Sequence, residues 1–270
     1  MRGNFIYVIL SMCVIAIFCI SVVSLNNIYS EEATVQTSST VNNKKLEWGI
    51  KRAKNHAQPD LGSRNLELLK NYNGISMGNS ENPYVYLTFD NGYEAGYTNQ
   101  ILDVLKQNNV PATFFITAHY LNTASDIVQR IIAEGHIVGN HTVNHKSMPS
   151  LSDEKIKTEV LNLHQAVYEK FGYEMKYIRP PMGEFSERTI SLTNSIGYKT
   201  TMWSLAYDDW DENNQGREEY GTSKILDNIH NGAIILLHAN SKDNANILNN
   251  VIRLIKDMGY EFKSLDEFVN

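Results

Sequence analysis

The residues of this 270-residue chain that could do chemistry lie directly after apolar segments of the sequence. They are Asp90 and Asn91, His141 and His145, Arg179, Asp208, Asp209 and Trp210, and His238. If the apolar segments are strands of one parallel sheet, these side chains all lie at the carboxyl ends of the strands, which form the active face of (β/α) barrels. Chance would not deliver one or two such residues to each of several strand ends. The pattern therefore predicts a single polar site at that face.

The histidine pair has the spacing of a metal site. In the stretch HTVNH, His141 and His145 are four residues apart. On one helical turn, side chains at this spacing share a face, so both imidazoles could bind the same ion. The two cysteines, Cys13 and Cys19, lie in the apolar N-terminal segment, which excludes disulfides and thiolate ligands from the rest of the chain. For the pair alone, two hydrogen-bonded loop histidines would be the simpler interpretation. An Asp-Asn pair at another strand end favours a metal.

The dipeptide Asn91-Gly92 allows two interpretations of the first strand end. Asn-Gly between two apolar strands is a strong signal for a tight hairpin turn. A hairpin needs a second strand directly after the turn, whereas the next apolar residues recur at helical spacing, as Ile101, Leu102, Val104 and Leu105. We therefore expect a strand-to-helix loop that leaves Asp90 accessible to a substrate.

Arg179 and His238 also allow two interpretations each. Arg179 precedes Pro180-Pro181 and could grip a carboxylate through two parallel hydrogen bonds, or it could form an ordinary surface salt bridge. His238 follows the apolar run AIILL. Because imidazole titrates near neutrality, it could act at a cavity mouth, or it could be a core histidine bonded to the backbone.

The elements that position these residues alternate along the chain from Tyr84 onward. The predicted strands are YVYLTF, ATFFI, HIVGN, YIRPP, KTTMWSL, AIILLH and YEFKSL. Helical patterns lie between them, and three of these end at Gly135, Gly172 and Gly197. About seven strands alternating with helices predict a parallel sheet. The Rossmann glycine fingerprint and the P-loop are both missing, so we expect the α/β class, as a distorted or incomplete (β/α) barrel.

The N-terminal segment predicts export. Phe5 to Leu25 is continuously apolar or small, which is long enough to span a bilayer and long for a signal-peptide core. The expected organisation is a signal peptide or membrane anchor over residues 1–30, a polar linker over 31–45, a lead-in segment over 46–82 and a catalytic domain over 83–270.

The overall composition argues against one class of partner. The formal net charge is −6 and the pI is about 5.8, so the chain lacks the basic footprint of a nucleic-acid-binding protein. Its 15 Tyr, 9 Phe and 3 Trp suit a sugar-binding surface, although filling the core is the commoner use of aromatic residues.

Five motifs, in the order TFDNG, HTVNH, RPP, DDW and LLH, resemble those of the polysaccharide deacetylases of the carbohydrate esterase type. The resemblance covers roughly residues 84–268. Within the family, TFDNGYEAGYT, the lead-in LEWG…HAQPD and WSLAYDDWDENNQ are similar to the branch that makes muramic δ-lactam in the cortex peptidoglycan of bacterial spores. This implies an exported, metal-assisted amidohydrolase that removes acetyl from N-acetylmuramic acid. The freed amine would then attack the lactyl carboxyl to close the lactam.

The resemblance also implies a role for each site residue. Asp90 would be the general base that activates water, oriented by Arg179. His238, polarised by Asp209, would be the general acid that protonates the leaving amine. The residues that would bind a divalent metal, expected to be zinc, are His141, His145 and Asn91. The sugar pocket would be walled by Trp210, Trp203 and Pro181.

The chain departs from the family pattern at two positions. Most members have a second Asp where this chain has Asn91, and an amide oxygen can coordinate a metal but brings no charge. We therefore expect the metal to be held weakly. Ala206 replaces an acid that many members carry, so the surroundings of the general acid are simpler here.

Two alternative functions remain open from the sequence. The chain could deacetylate N-acetylglucosamine in peptidoglycan or in another glycan, or it could be a glycan-binding pseudoenzyme in which Asn91 marks a decayed metal site. The expected partners are peptidoglycan glycan strands and, through residues 1–30, the membrane. We expect the protein to act as a monomer.

Overall fold

The computed structural model of the protein describes residues 41–270. The strands in this range are β1 (Leu46–Glu47), β2 (Tyr84–Asn91), β3 (Ala112–Ile116), β4 (Ile137–Asn140), β5 (Tyr177–Ile178), β6 (Glu184–Phe185), β7 (Lys199–Thr200), β8 (Leu205–Ala206), β9 (Ala233–His238) and β10 (Glu261–Phe262). The α-helices are α1 (Ser63–Asn71), α2 (Thr98–Asn108), α3 (Ala118–Thr123), α4 (Ser125–Ala133), α5 (Asp153–Phe171), α6 (Glu187–Ser195), α7 (Glu218–Leu226) and α8 (Lys242–Asp257). The predicted N-terminal segment, residues 1–30, lies outside the described residues.

Seven of the strands form one parallel sheet in the order β7-β5-β4-β3-β2-β9-β8, and β10 pairs with the start of β2. Parallel neighbours must be joined by crossover connections, which here are mostly helices that cover the outer face of the curled sheet. The predicted α/β fold, an incomplete barrel of about seven parallel strands, is confirmed. Because β2 pairs with parallel neighbours and is followed by a loop and then α2, Asn91-Gly92 is not a hairpin turn.

Alternation along the central strand β2 decides where Asp90 lies. Val85, Leu87 and Phe89 pack in the large core cluster that includes the helices. Tyr86 belongs to a second cluster, formed mostly by strand residues on the other face of the sheet. Successive side chains of a strand point to opposite faces, so Asp90 continues the row of Tyr86 and lies inside the curled sheet.

The sheet does not close into a complete barrel. The stretch KTTMWSL, predicted as one strand, forms β7 and β8 at opposite edges of the sheet, so that prediction is wrong. The lead-in segment occupies the gap between the edges. Ile75 accepts a hydrogen bond from the main-chain N–H of Met202 and donates to the carbonyl of Thr200, both at 2.8 Å. Met77 forms a bridge to Ala233.

The long helix α5 shows why the helical pattern could be predicted. Its N-cap, Ser152, accepts a hydrogen bond from the main-chain N–H of Lys155, and its C-cap, Gly172, has a φ of 63°. Such left-handed backbone favours glycine. Both predicted ends of this helix are confirmed. Across residues 41–270, no helix combines the length and the apolar composition needed to cross a membrane.

Candidate active site

A cavity of about 570 Å³ opens at the carboxyl ends of the strands. Six of the predicted site residues line it, namely Asp90, His141, His145, Trp203, Trp210 and His238. Arg179 and Asp209 are buried and contact two of these lining residues directly. The parallel sheet therefore brings together side chains that lie far apart in the sequence.

Asp90 is paired with a fully buried arginine. Arg179 follows β5 and is 0% exposed. Its Nη1 donates to Asp90 Oδ1 at 2.7 Å, and its Nη2 donates to Thr88 Oγ1 at 2.9 Å. The two terminal nitrogens of the guanidinium thus donate to different residues. The predicted pair of parallel hydrogen bonds to one carboxylate is wrong. The burial of Arg179 also excludes a surface salt bridge.

The Arg179 charge decides the ionisation of Asp90. Burial alone would raise the pKa of the Asp90 carboxyl, but the charge of Arg179, followed by those of His141 and His238, holds it below its ordinary value. Asp90 is therefore a carboxylate at neutral pH. Its Oδ2 lies 3.5 Å from His141 Nε2, so this oxygen is directed to the histidine pair rather than to Arg179.

His141 and His145 converge through a loop rather than a helical turn. Thr142 and His145 both have left-handed backbone, with φ values of 67° and 53°. The loop is tightened by the main-chain N–H of His145, which donates to Thr142 Oγ1 at 3.1 Å. The two Nε2 atoms lie 3.1 Å apart. The predicted helical geometry is wrong, although the two rings do come together.

The pKa values of both imidazoles are lowered, and the tautomer of His141 leaves its Nε2 free for a metal. His141 Nδ1 lies 2.9 Å from the carbonyl oxygen of Arg179. A carbonyl only accepts, so Nδ1 carries the proton and Nε2 has a free lone pair. Burial lowers the pKa of His141 to about 4 and also lowers the pKa of His145. Neutral imidazoles with converging Nε2 atoms fit a divalent cation.

Asn91 is the predicted third ligand. Within the described part of the chain, no three His, Cys, Asp or Glu side chains are grouped so as to hold a metal ion. Asn91 pairs in register with Ile116, whose carbonyl binds the main-chain N–H of His141. Asn91 is 1% exposed and its amide lies near the buried Tyr120 hydroxyl, although neither polar atom makes a hydrogen bond of normal geometry within residues 41–270. Asn91 continues the row of Val85, Leu87 and Phe89 along β2, on the face opposite Asp90, so its role as a metal ligand stays a prediction. Its side chain does not line the cavity.

Asp209 and His238 form the second charged pair of the site. Asp209 Oδ1 lies 2.7 Å from His238 Nδ1, and the main-chain N–H of His238 donates to Oδ2 at 2.7 Å. A carboxylate only accepts, so Nδ1 carries a proton. Burial would lower the pKa of His238, but the charge of Asp209 and its hydrogen bond raise it above the ordinary value. Because its pKa is raised, His238 keeps a second proton, on Nε2, at a higher pH than an ordinary histidine and can donate it to a substrate.

The side walls differ in part from the prediction. Trp210 is 61% exposed and, with Trp203, lines the cavity, whereas Pro181 is buried and does not. The next two residues, Met182 and Gly183, line it instead. Both have left-handed backbone, and a Cβ on Gly183 would lie 2.9 Å from the Trp203 ring. The wall therefore depends on a backbone conformation that the sequence RPP does not reveal.

The lead-in segment supports this wall, a role that the sequence did not indicate. Strand β1 pairs with β6. Just after β1, the main-chain N–H of Trp48 donates to the carbonyl of Gly183 at 2.9 Å, and its indole Nε1 donates to the carbonyl of Trp203 at 2.8 Å. Tyr93 and Asn240, also unpredicted, line the cavity and are hydrogen-bonded to each other at 2.5 Å.

The comparisons with known proteins agree with this geometry. The family model described as polysaccharide deacetylase matches residues 77–201. The peptidoglycan-N-acetylmuramic acid deacetylase PdaA of Bacillus subtilis is 40% identical over 233 residues, which cover 86% of this chain and 89% of the relative. The solved structure of B. subtilis PdaA, a family 4 carbohydrate esterase, superposes with a TM-score of 0.82 at 41% identity, covering 84% of this chain and 98% of that one. The peptidoglycan-N-acetylglucosamine deacetylase PgdA of Listeria monocytogenes is 33% identical and covers 69% of this chain and 39% of its own length.

Proposed function

Because the chain belongs to the polysaccharide deacetylase family, we propose that it hydrolyses the N-acetyl amide of N-acetylmuramic acid residues in peptidoglycan. The observation that carries the proposal is the pairing of Asp90, with a lowered pKa, and His238, with a raised one, on the neighbouring strands β2 and β9. Two groups whose environments push their pKa values apart are suited to act as base and acid in one reaction. The similarity to PdaA favours muramic acid over glucosamine.

The roles of the residues follow from their hydrogen bonds. Asp90, held by Arg179, takes a proton from the water that attacks the acetyl carbonyl carbon. His238, held by Asp209, then gives its Nε2 proton to the amine nitrogen as the carbon–nitrogen bond breaks. His141, His145 and Asn91 are the residues that would hold a divalent cation, expected to be zinc. When bound, such an ion supplies Lewis-acid stabilisation of negative charge in the cavity.

The surrounding structure suits a sugar substrate. Trp210 and Trp203 present aromatic surface in the cavity, and aromatic rings offer an apolar face to a sugar ring. The free amine left on muramic acid would be the nucleophile for δ-lactam closure at the lactyl carboxyl, so we place this reaction before lactam formation. Because Trp48 and Ile75 contact the wall and the sheet, we count residues 46–82 as part of the catalytic unit with residues 83–270.

Peptidoglycan lies outside the cytoplasm, and we propose that residues 1–30 export the protein, either as a cleaved signal or as an anchor. We propose that the exported protein acts as a monomer.

The test is release of acetate by the full-length protein supplied with zinc. Purified peptidoglycan and chitin-type oligomers of N-acetylglucosamine serve as the two substrates. We expect acetate from peptidoglycan and none above background with the variant Asp90→Asn, which keeps the shape of the side chain. Acetate from both substrates would favour a broader glycan deacetylase. Binding to peptidoglycan without any acetate would instead favour a pseudoenzyme.

A further inference from the structure

A buried asparagine lies directly behind the Asp209–His238 pair. Asn244 is the third residue of α8 and is 0% exposed. It does not line the cavity, so it has no access to a substrate. In sequence it is 35 residues from Asp209, and none of the motifs that identified the site includes it.

Every polar atom of the Asn244 side chain is hydrogen-bonded to the pair or to its neighbour. The amide Nδ2 donates to Asp209 Oδ2 at 2.6 Å and to the carbonyl oxygen of His238 at 3.1 Å. The amide Oδ1 accepts from the hydroxyl of Tyr207 at 2.5 Å. These bonds fix which way the amide points. A flipped amide would place its oxygen against the Asp209 carboxylate and leave the Tyr207 hydroxyl without an acceptor.

The two carboxylate oxygens of Asp209 have different hydrogen-bond partners. Oδ2 accepts hydrogen bonds from the Asn244 amide and from the main-chain N–H of His238, while Oδ1 accepts one from the ring Nδ1 of His238. A carboxylate anchored through Oδ2 cannot rotate away from the imidazole. Hydrogen bonds to an ionised acceptor are among the stronger ones in proteins, so the buried amide is suited to this anchoring.

We propose that Asn244 is a positioning residue for the deacetylation reaction. It fixes the Asp209 carboxylate, and through it the imidazole of His238, while Tyr207 fixes the amide of Asn244. The proposal rests on the proposed function in one respect, namely that His238 is the general acid.

A role confined to helix capping does not explain the side chain. The main-chain N–H of Asn244 donates to Ser241 Oγ, the N-cap of α8, at 3.2 Å. That bond would form with almost any residue at position 244. Within residues 41–270, the side-chain amide of Asn244 bonds only to Tyr207, Asp209 and His238, so the asparagine matters to the site rather than to the helix end.

The first test is steady-state kinetics of the full-length variant Asn244→Leu on peptidoglycan. Leucine keeps the branching and the number of heavy atoms of asparagine and removes the amide. Loss of a hydrogen bond to a charged group corresponds to roughly a 10- to 100-fold fall in kcat, and we expect KM to stay within about twofold because Asn244 touches no part of the cavity. The matched control is Asn246→Leu on the same helix, where the native residue is exposed and its amide donates to Glu218. Its kcat should equal that of the wild type.

A second variant covers the case in which Asn244→Leu does not fold. Tyr207→Phe removes one hydroxyl and leaves the ring in place, so Asn244 loses the bond that fixes its amide. We expect a smaller fall in kcat than for Asn244→Leu. Because Tyr207 lines the cavity, the deciding readout for this variant is the His238 resonance described next, and not KM.

The second measurement needs no substrate. In ¹⁵N-histidine-labelled protein, the Nδ1 proton of His238 should give a downfield resonance that reports its short bond to Asp209. We expect this resonance to move upfield or broaden in Asn244→Leu and in Tyr207→Phe, and to be unchanged in Asn246→Leu. A folded Asn244→Leu or Tyr207→Phe variant with wild-type kcat and an unmoved resonance would overturn the proposal. If the wild type releases no acetate, the proposed function fails, and the resonance alone decides whether Asn244 positions the pair.

Discussion

Replacing Arg179 with methionine should destabilise the protein by about 3–5 kcal/mol, the usual cost of removing one partner of a buried ion pair. The guanidinium is 0% exposed and makes a 2.7 Å bond to Asp90. Methionine fills much of the same volume, so the main loss is the charge that compensates Asp90. The lost bond to Thr88 and the lost stacking on the Phe115 ring, 4.2 Å from the guanidinium carbon, add to the effect within that range.

The assay is urea unfolding at pH 7, with Arg253→Met as the matched control. Arg253 forms an exposed ion pair with Asp257, in which the side chains are 60% and 61% exposed. An exposed pair four residues apart on a helix contributes about 0.3–0.5 kcal/mol. Arg179→Met should therefore lower the free energy of unfolding several times more than Arg253→Met does.

Two further comparisons isolate the charge. The double variant Asp90→Leu/Arg179→Met leaves no unpaired buried charge, so it should be more stable than Arg179→Met alone. The pKa of Asp90 is lowered in the folded state, so the stability from this pair is present at neutral pH and lost as the pH falls through that lowered value. The difference in unfolding free energy between wild type and Arg179→Met should therefore become smaller at acidic pH. An equal loss of unfolding free energy in Arg179→Met and Arg253→Met would refute this prediction. So would a double variant whose loss equals the sum of the losses in Asp90→Leu and Arg179→Met alone.

Three more predictions concern the site. Asp209→Asn removes the largest influence that raises the pKa of His238, so the alkaline limb of the kcat/KM profile should move to lower pH, and an unmoved limb would contradict His238 as the acid. If Asn91 is the third ligand, Asn91→Asp adds a charge to the metal site, so titration of metal-stripped protein should show tighter zinc binding. Equal or weaker affinity would mean that Asn91 faces elsewhere. Gly183→Ala should cost about 1–3 kcal/mol in urea unfolding, because a Cβ there would lie 2.9 Å from Trp203. Gly197→Ala, which is left-handed with open space around it, is the control that shares the backbone strain but not the clash.

The strand-end residues could be predicted because a parallel sheet follows simple rules. Period-two alternation places Asp90 on the inner face of β2, and the parallel pairing of β2 with β9 places His238 beside it. Both consequences follow from apolar patterns that are visible in the sequence. Arg179 and Asp209 could also be predicted as strand-end residues, but the sequence does not indicate that both are buried.

The other features of the site could not be predicted, because they depend on backbone geometry and on long-range contacts. The HTVNH turn uses left-handed residues, whereas the spacing of its histidines suggested a helix. Met182 replaces Pro181 at the wall for the same reason, because two successive left-handed residues redirect the chain there. Trp48 and Asn244 reach the site only through the folded structure, from a lead-in segment and from a helix whose apolar pattern is ordinary. Sequence spacing carries no signal for such contacts.

The most direct test of the central claim is mass spectrometry of peptidoglycan fragments after treatment with the full-length protein and zinc. We predict that muramic acid residues lose the mass of one acetyl group, that glucosamine residues keep their acetyl groups, and that Asp90→Asn leaves both sugars unchanged. Loss of acetyl from glucosamine in place of muramic acid, or equal loss from wild type and Asp90→Asn, would contradict it.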